Sequence, residues 1–151
     1  MLTRLMAHRY VFFPPRDLNE PIFEVACKVA ADVILVEAPC MHRYVGPYEV
    51  GVVCNARIPT ALHTIGRVEF EAVFSNSRGV EVGSVAGQNP TMGSSWFAGP
   101  KRNGFGIARY EVPEDVKEMG ALLCRVKFAD IDGALAKYEP IQVYARNIFT
   151  P

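Results

Sequence analysis

The sequence predicts an all-β protein: a single-domain antiparallel β-sandwich, jelly-roll or immunoglobulin-like, with about seven to nine strands and at most one or two short helices. Three observations lead there. Most of the 151 residues alternate apolar and polar side chains with period two. Turn-forming clusters of Gly, Pro, Asn and Ser recur at fairly regular spacing. No alternation of strand with helix marks a parallel sheet.

The first stretch with structure is IFEVACKVAADVILVEAP. As a helix it would show a stripe of Ile22, Val25, Ala26, Val29, Ala30 and Val33, with Asn19 as cap and Glu24 beside Lys28. As strands it shows Phe23, Val25, Cys27, Val29, Ala31, Val33 and Leu35 on one apolar face, with a bend near Ala30–Ala31. Its β-branched content favours strands. Val50, Val52, Cys54 and Ala56 share a face in the next run. Val68, Phe70, Ala72 and Phe74 share one in RVEFEAVF, opposite Arg67, Glu69 and Glu71. Asn76-Ser77-Arg78-Gly79 then turns the chain into VEVGSVAG, the second arm of a hairpin.

A glycine-rich connection, GQNPTMGSSWFAGPKRNGFG from Gly87 to Gly106, holds the single tryptophan and a Lys-Arg pair. It leads into a strand in which Phe105, Ile107 and Arg109 alternate with Ala108 and Tyr110. VPEDVKEMG, with early acids and a glycine stop, predicts a helical turn across one end of the sandwich. Leu122, Cys124, Val126 and Phe128 line one face of the next strand, and Ile141, Val143 and Ala145 line the last. Residues 1–18 read as an N-terminal arm and 19–151 as the sandwich. The Cys-Trp-Cys spacing of true immunoglobulin domains is missing, because Trp96 lies in the glycine-rich connection.

Half of the residues are hydrophobic and 21% are charged, a composition that can bury a core and is incompatible with wholesale disorder. Sixteen basic residues balance sixteen acidic ones, so no global positive field recruits nucleic acid. Cys27, Cys40, Cys54 and Cys124 form no CxxC pair and match no zinc spacing. They read as free thiols of a protein that works inside a cell or within a virion. No apolar run reaches the ~20 residues of a membrane span. The segment MLTRLMAHRYVFFPPR is basic and acid-poor, which fits either an organelle-targeting segment or an assembly arm; its apolar VFF is too short for a signal peptide.

Chemistry is sparse. Gly99-Pro100-Lys101-Arg102-Asn103-Gly104-Phe105-Gly106 has glycines and cations suited to a phosphate, but it precedes a strand and matches neither nucleotide-binding pattern. Cys40-Met41-His42, with Cys54, His63 and Met92, offers copper-like ligands whose three adjacent members cannot all converge. Ser94, Ser95 or Cys40 with His42 or His63 and an acid such as Glu37 or Asp130 carries no nucleophile signature. Glu69 and Glu71 share a strand face at the order of spacing that paired carboxylates require. Asp130-Ile131-Asp132-Gly133 lacks most positions of a calcium loop. No catalytic residue, metal ligand or cofactor is therefore expected.

What remains is recognition. Trp96 and Phe97, with Lys101 and Arg102, sit in the glycine-rich connection, and Tyr44 and Tyr48 sit in a second Pro-Gly loop. Such rings either anchor a ligand or partner or fold back to plug the ends of the core. The sequence thus predicts a non-enzymatic structural or interaction subunit: a homo-oligomer or a component of a viral or phage particle or multi-subunit complex. It would assemble through its arms, MLTRLMAHRYVFFPP and ARNIFTP, and the glycine-rich connection. The alternative is a monomeric sandwich that binds carbohydrate through the four loop aromatics.

Overall fold

The computed structural model describes residues 10–28, 33–54, 68–89, 96–98, 103–130 and 140–149. The strands are β1 (Pro21–Cys27), β2 (Ile34–Cys40), β3 (Gly46–Cys54), β4 (Val68–Ser75), β5 (Glu81–Asn89), β6 (Trp96–Ala98), β7 (Asn103–Val112), β8 (Leu122–Asp130) and β9 (Ile141–Asn147). One helical turn, α1 (Val116–Met119), joins β7 to β8, and residues 10–12 are also helical. The expected all-β sandwich is what the chain forms.

A five-stranded sheet has the order β1-β9-β3-β7-β6 and a four-stranded sheet the order β2-β8-β4-β5. Every pairing is antiparallel. The chain changes sheet at nearly every connection, which is the two-Greek-key path of a jelly roll with β6 added to one edge. Between jelly roll and immunoglobulin order, the strand order decides for the jelly roll. β1 lies against β2 along one side of the sandwich, and β5 lies against β7 along the other.

The core fills the space between the sheets. Val50 and Val52 meet Ile141, Val143 and Ala145 from one layer; Val68, Phe70, Ala72 and Phe74 meet Cys124, Val126 and Phe128 from the other. Each set is the inward half of an alternating strand, and burying the apolar half is the main term that holds the layers together. The outward half of the four-stranded sheet mixes charged pairs with exposed apolar residues: Glu37 is bonded to Arg125 at 2.7 Å and Glu71 stands opposite Lys127, while Leu35, Val82 and Leu123 are exposed on the same face. The outward side of the five-stranded sheet differs. Glu49, Val53 and Tyr144 point away from the core by parity and are nonetheless fully buried.

Two expectations about facing need correction. Phe23, Val25 and Cys27 do share a face, but Val33 and Leu35 do not continue it; they are 49% and 58% exposed, and Ile34, Val36, Ala38 and Cys40 turn inward instead. β1 and β2 belong to opposite sheets, so the inward parity resets between them. In β7, Ile107 does not share a face with exposed Arg109. Val50 pairs with Ala108 and Gly51 with Gly106, so Ile107 is the extra residue of a bulge that buries it next to Ala108. The expected bend at Ala30–Ala31 and the face position of Ala56 lie outside the described residues.

Candidate functional site

The β2–β3 connection, the β4–β5 turn, α1 and the segments at residues 10–20 and 148–149 all gather at one end of the sandwich. A second hydrophobic cluster closes that end: Val45, Tyr48, Val112 and Val116, with Tyr10, Tyr110 and Met119 packed against it. The N-terminal segment is pinned here. Asp17 accepts a hydrogen bond from the Tyr44 hydroxyl and pairs with Arg43 at 2.7 Å. Leu18 is buried beside this clamp, and the Tyr10 ring packs edge-on against Tyr44 and Phe149. The bonds from Tyr44 and then Arg43 hold the Asp17 carboxyl below the usual carboxylate range, while the hydrogen bond to Asp17 is the main reason that the Tyr44 hydroxyl is pushed up to about 12.

Between these anchors the segment turns outward: Phe12 is 73% and Phe13 80% exposed. A cleft of about 410 Å³ runs under Tyr10 and Phe13 and is floored by Val45 and Val116, with Arg43 and Lys117 at its sides. The other terminal segment, ARNIFTP, is tied to its own domain through residue 149, contrary to its reading as a free arm. Asn147 is buried and donates to the Val45 carbonyl, and its side-chain oxygen accepts from the Phe149 amide. Ile148 donates to the Pro47 carbonyl. Asn19, with its amide turned to satisfy both acceptors, donates to the carbonyls of Asn147 and Phe149.

His42 lies inside this end, 4% exposed. Its Nε2 is 2.8 Å from the Tyr110 hydroxyl, and the rings of Tyr48, Phe74 and Tyr110 pack edge-on around the imidazole. Burial pulls its pKa down to about 4, so the ring is neutral at physiological pH. The Cys40 thiol faces the same interior and is pushed up to about 11 by burial; the Cys124 thiol is pushed higher still, first by burial and then by Cys40. Thiols so raised are poor nucleophiles and poor metal ligands. Cys40 and His42 both turn inward, as a strand would have them, and Met41 between them is exposed. Among the described residues, no three His, Cys, Asp or Glu side chains converge on a metal-sized space.

A second polar group sits on the outward side of the five-stranded sheet. Glu49 accepts from the Tyr144 hydroxyl at 2.8 Å and from Arg146 Nε at 3.1 Å, and the Arg146 guanidinium lies over the Tyr144 ring. Burial first, and Glu49 second, push the Tyr144 hydroxyl well up. Glu69 and Glu71 are exposed on the outer face of β4, with Gln88 and Ala86 as their partners in β5 and Ala129 and Lys127 in β8.

The expected recognition residues do not form one surface. Tyr48 is 1% exposed and plugs the sandwich end. Tyr44 is half-buried and its hydroxyl is engaged by Asp17. The glycine-rich connection is less irregular than its composition suggests, since Gly87–Asn89 finish β5 and Trp96–Ala98 form β6, paired with Asn103–Phe105. Trp96 and Phe97 therefore have backbone positions in an edge strand at the far end of the sheet. By register Trp96 is level with Val52 and Phe97 with Val53 of β3, four and five residues along from Tyr48, or about 13–17 Å. Lys101 and Arg102 lie outside the described residues, as do His63, Met92, Ser94 and Ser95. Sequence reasoning passed over Asp17, and only its position three residues after Pro14-Pro15-Arg16 starts, ahead of buried Leu18, distinguishes it from a solvated acid.

No protein-family model and no curated protein matches the chain. Among solved structures, the infectious bursal disease virus VP2 subviral particle is similar at 9% identity over 85% of this chain, with a TM-score of 0.20. This chain spans 34% of that one, and the score is too low to mark a shared fold. No described helix is long and apolar enough to cross a membrane.

Proposed function

We propose that the chain is a non-enzymatic assembly subunit, a jelly-roll building block that packs against protein neighbours in a viral or phage particle or a multi-subunit complex. One observation carries the reading. The N-terminal segment is anchored on both sides of Phe12 and Phe13, by Tyr10 and by Asp17 and Leu18, yet it presents both rings to solvent. A phenylalanine that is buried rather than exposed contributes about 1.5–3 kcal/mol, so two adjacent exposed rings leave a large favourable term unused. Val11 beside them is 45% exposed and extends the apolar surface. A partner that covers these rings recovers that term. Jelly rolls serve both as shell subunits and as lectins, and the architecture alone does not choose. The carbohydrate-binding reading asks four aromatics to serve as stacking platforms, but Tyr48 is interior and Tyr44 is clamped.

Mass photometry and sedimentation over a wide concentration range test the proposal. The chain should populate an oligomer, and the double substitution Phe12→Ser, Phe13→Ser should shift it towards monomer without lowering the melting temperature. A wild-type chain that stays monomeric at the highest soluble concentration, alone and with the components it is expressed beside, ends this reading.

A further inference from the structure

The outward sides of the two sheets differ in exposure. On the five-stranded sheet, Glu49, Val53 and Tyr144 are fully buried. On the four-stranded sheet, no described outward side chain is buried, and Leu35, Val82 and Leu123 are 58%, 44% and 39% exposed. Exposed aliphatic residues scattered singly are ordinary. What distinguishes this face is the order in which the register sets out its side chains. Two neighbouring rows cross all four strands, from β2 through β8 and β4 to β5. One reads Leu35, Lys127, Glu71, Ala86 and the next reads Glu37, Arg125, Val73, Ser84.

Reversed end to end, the first row is its own complement: Leu35 falls on Ala86 and Lys127 on Glu71, and each pair occurs twice. A two-fold axis lying in the plane of the face, along the strands and between β8 and β4, makes this reversal for a second copy. In the second row the same axis sets Glu37 on Ser84 and Arg125 on Val73, so no like charges meet. The other in-plane two-fold, running across the strands between the two rows, sets Lys127 on Arg125 and is opposed by their repulsion. Shape agrees with charge. A depression of about 560 Å³ lies over this face, with Ala86 and Ala129 in its lining, and the first axis brings the protruding Leu35 of the second copy in at Ala86. Glu71 and Lys127 are neighbours across β4 and β8, yet among the described residues neither forms an ion pair, so both charges are available.

We propose that the outward face of the four-stranded sheet is a homodimer interface, in which a second copy packs about this axis with Lys127 of each chain on Glu71 of the other. Sheets stacked face to face keep their strands within about 30° of each other, and an axis along the strands gives that arrangement. Four strands of seven to nine residues offer a footprint of about 500 Å² a side, from spacings of ~4.8 Å between strands and ~3.3 Å along them. That is below the ~800 Å² per partner of a standard interface, so the dimer is weak and concentration-dependent. The contact lies apart from the cleft beneath Phe13 at the sandwich end, and it can fail while the assembly reading through Phe12 and Phe13 stands.

Sedimentation equilibrium of the full chain carrying Phe12→Ser and Phe13→Ser isolates this contact from the other. That chain should still dimerise as its concentration rises. Lys127→Glu and Glu71→Lys, each added to it separately, set like charges across the axis and should each weaken dimerisation at least about tenfold. An equimolar mixture of the two should recover a heterodimer, because the new carboxylate at position 127 of one chain meets the new ammonium at position 71 of the other. Each variant also places like charges side by side within its own chain, and mixing does not relieve that, so recovery reports the contact between chains alone. Amide chemical shifts of the wild-type chain, followed from dilute to concentrated solution, should move across β2, β8, β4 and β5, which covers the case of a variant that unfolds. A Phe12→Ser, Phe13→Ser chain that is monomeric at its highest soluble concentration, a mixture no more dimeric than its parts, or unchanged shifts on these four strands would overturn the proposal.

Discussion

Gly83 and Gly87 face inward from the same strand, four positions apart, and a single methyl should act on them with opposite sign. Gly87→Ala drives a Cβ into the Ile107 carbonyl, a backbone atom that cannot step aside without moving β7. Overpacking of that kind costs about 1–3 kcal/mol. Gly83→Ala enters open space at an ordinary φ and restricts the unfolded chain, a gain of about 0.4–1 kcal/mol. Urea denaturation of the two variants checks both signs at once. Alternation in VEVGSVAG shows that both glycines face inward, but crowding by another strand is a property of packing that no periodicity contains. Glu49 makes the same point for charge. It lies in an apolar-looking run and is fully buried, with Tyr144 and Arg146 bonded to it from β9, nearly a hundred residues later in the chain. Glu49→Ala removes the buried carboxylate that the Tyr144 hydroxyl and Arg146 share and should cost about 3 kcal/mol. Glu49→Gln keeps an acceptor for the Tyr144 hydroxyl and should cost measurably less. Equal losses in the two variants would assign the effect to packing rather than to the polar group.

At the scale of elements, period two located the strands because a sandwich strand buries one face, and an alternating sequence records that directly. It failed at Val33 and Leu35, where the chain crosses to the other sheet and inward parity resets, and at Ile107, where a bulge adds a residue. Both failures come from pairing partners distant in sequence. β6 stayed hidden for a related reason: three residues between glycines have too little pattern to register, and only pairing with β7 makes them a strand. The β4–β5 hairpin was legible because its turn chemistry is local. Asn76 Oδ1 accepts from the amides of Arg78 and Val80, and Gly79 takes φ 76°, where a side chain is strained. Asn76→Ala removes both bonds from an exposed turn and should destabilise by about 1–2 kcal/mol. Hydrogen exchange should show the loss as faster exchange of the turn amides of Arg78 and Val80. Unchanged protection there would mean that Gly79 alone sets the turn.

For the whole molecule, the jelly-roll path puts the clamped segment, His42 and the cleft at one end, with the glycine-rich connection at the other. Membership of an end is a consequence of strand order, so grouping Tyr44 and Tyr48 with Trp96 and Phe97 by residue type alone could not succeed. The crowded end also sets how stability responds to pH. His42 is held neutral down to about 4 in the folded chain, whereas an unfolded histidine takes up its proton near 6.5. Below 6.5 the unfolded state therefore binds a proton that the native state refuses, and stability must fall as pH drops. The loss begins near pH 6.5, is complete near pH 4 and amounts to about 3 kcal/mol. Asp17 acts in a lower window. Its native pKa is depressed by Tyr44 and Arg43, so its contribution is present above the unfolded value of 3.8 and disappears as pH falls through the native one. Urea midpoints measured from pH 7.5 to 3 should thus decline in two stages. His42→Phe, whose ring can keep the edge-on contacts with Tyr48 and Phe74, should flatten the first stage and leave the second. Asp17→Asn should do the reverse, flattening only the most acidic part. A wild-type midpoint that stays level between pH 6.5 and 4.5 would mean that His42 is protonated in the folded state, and with it the neutral imidazole at the heart of this end would be lost.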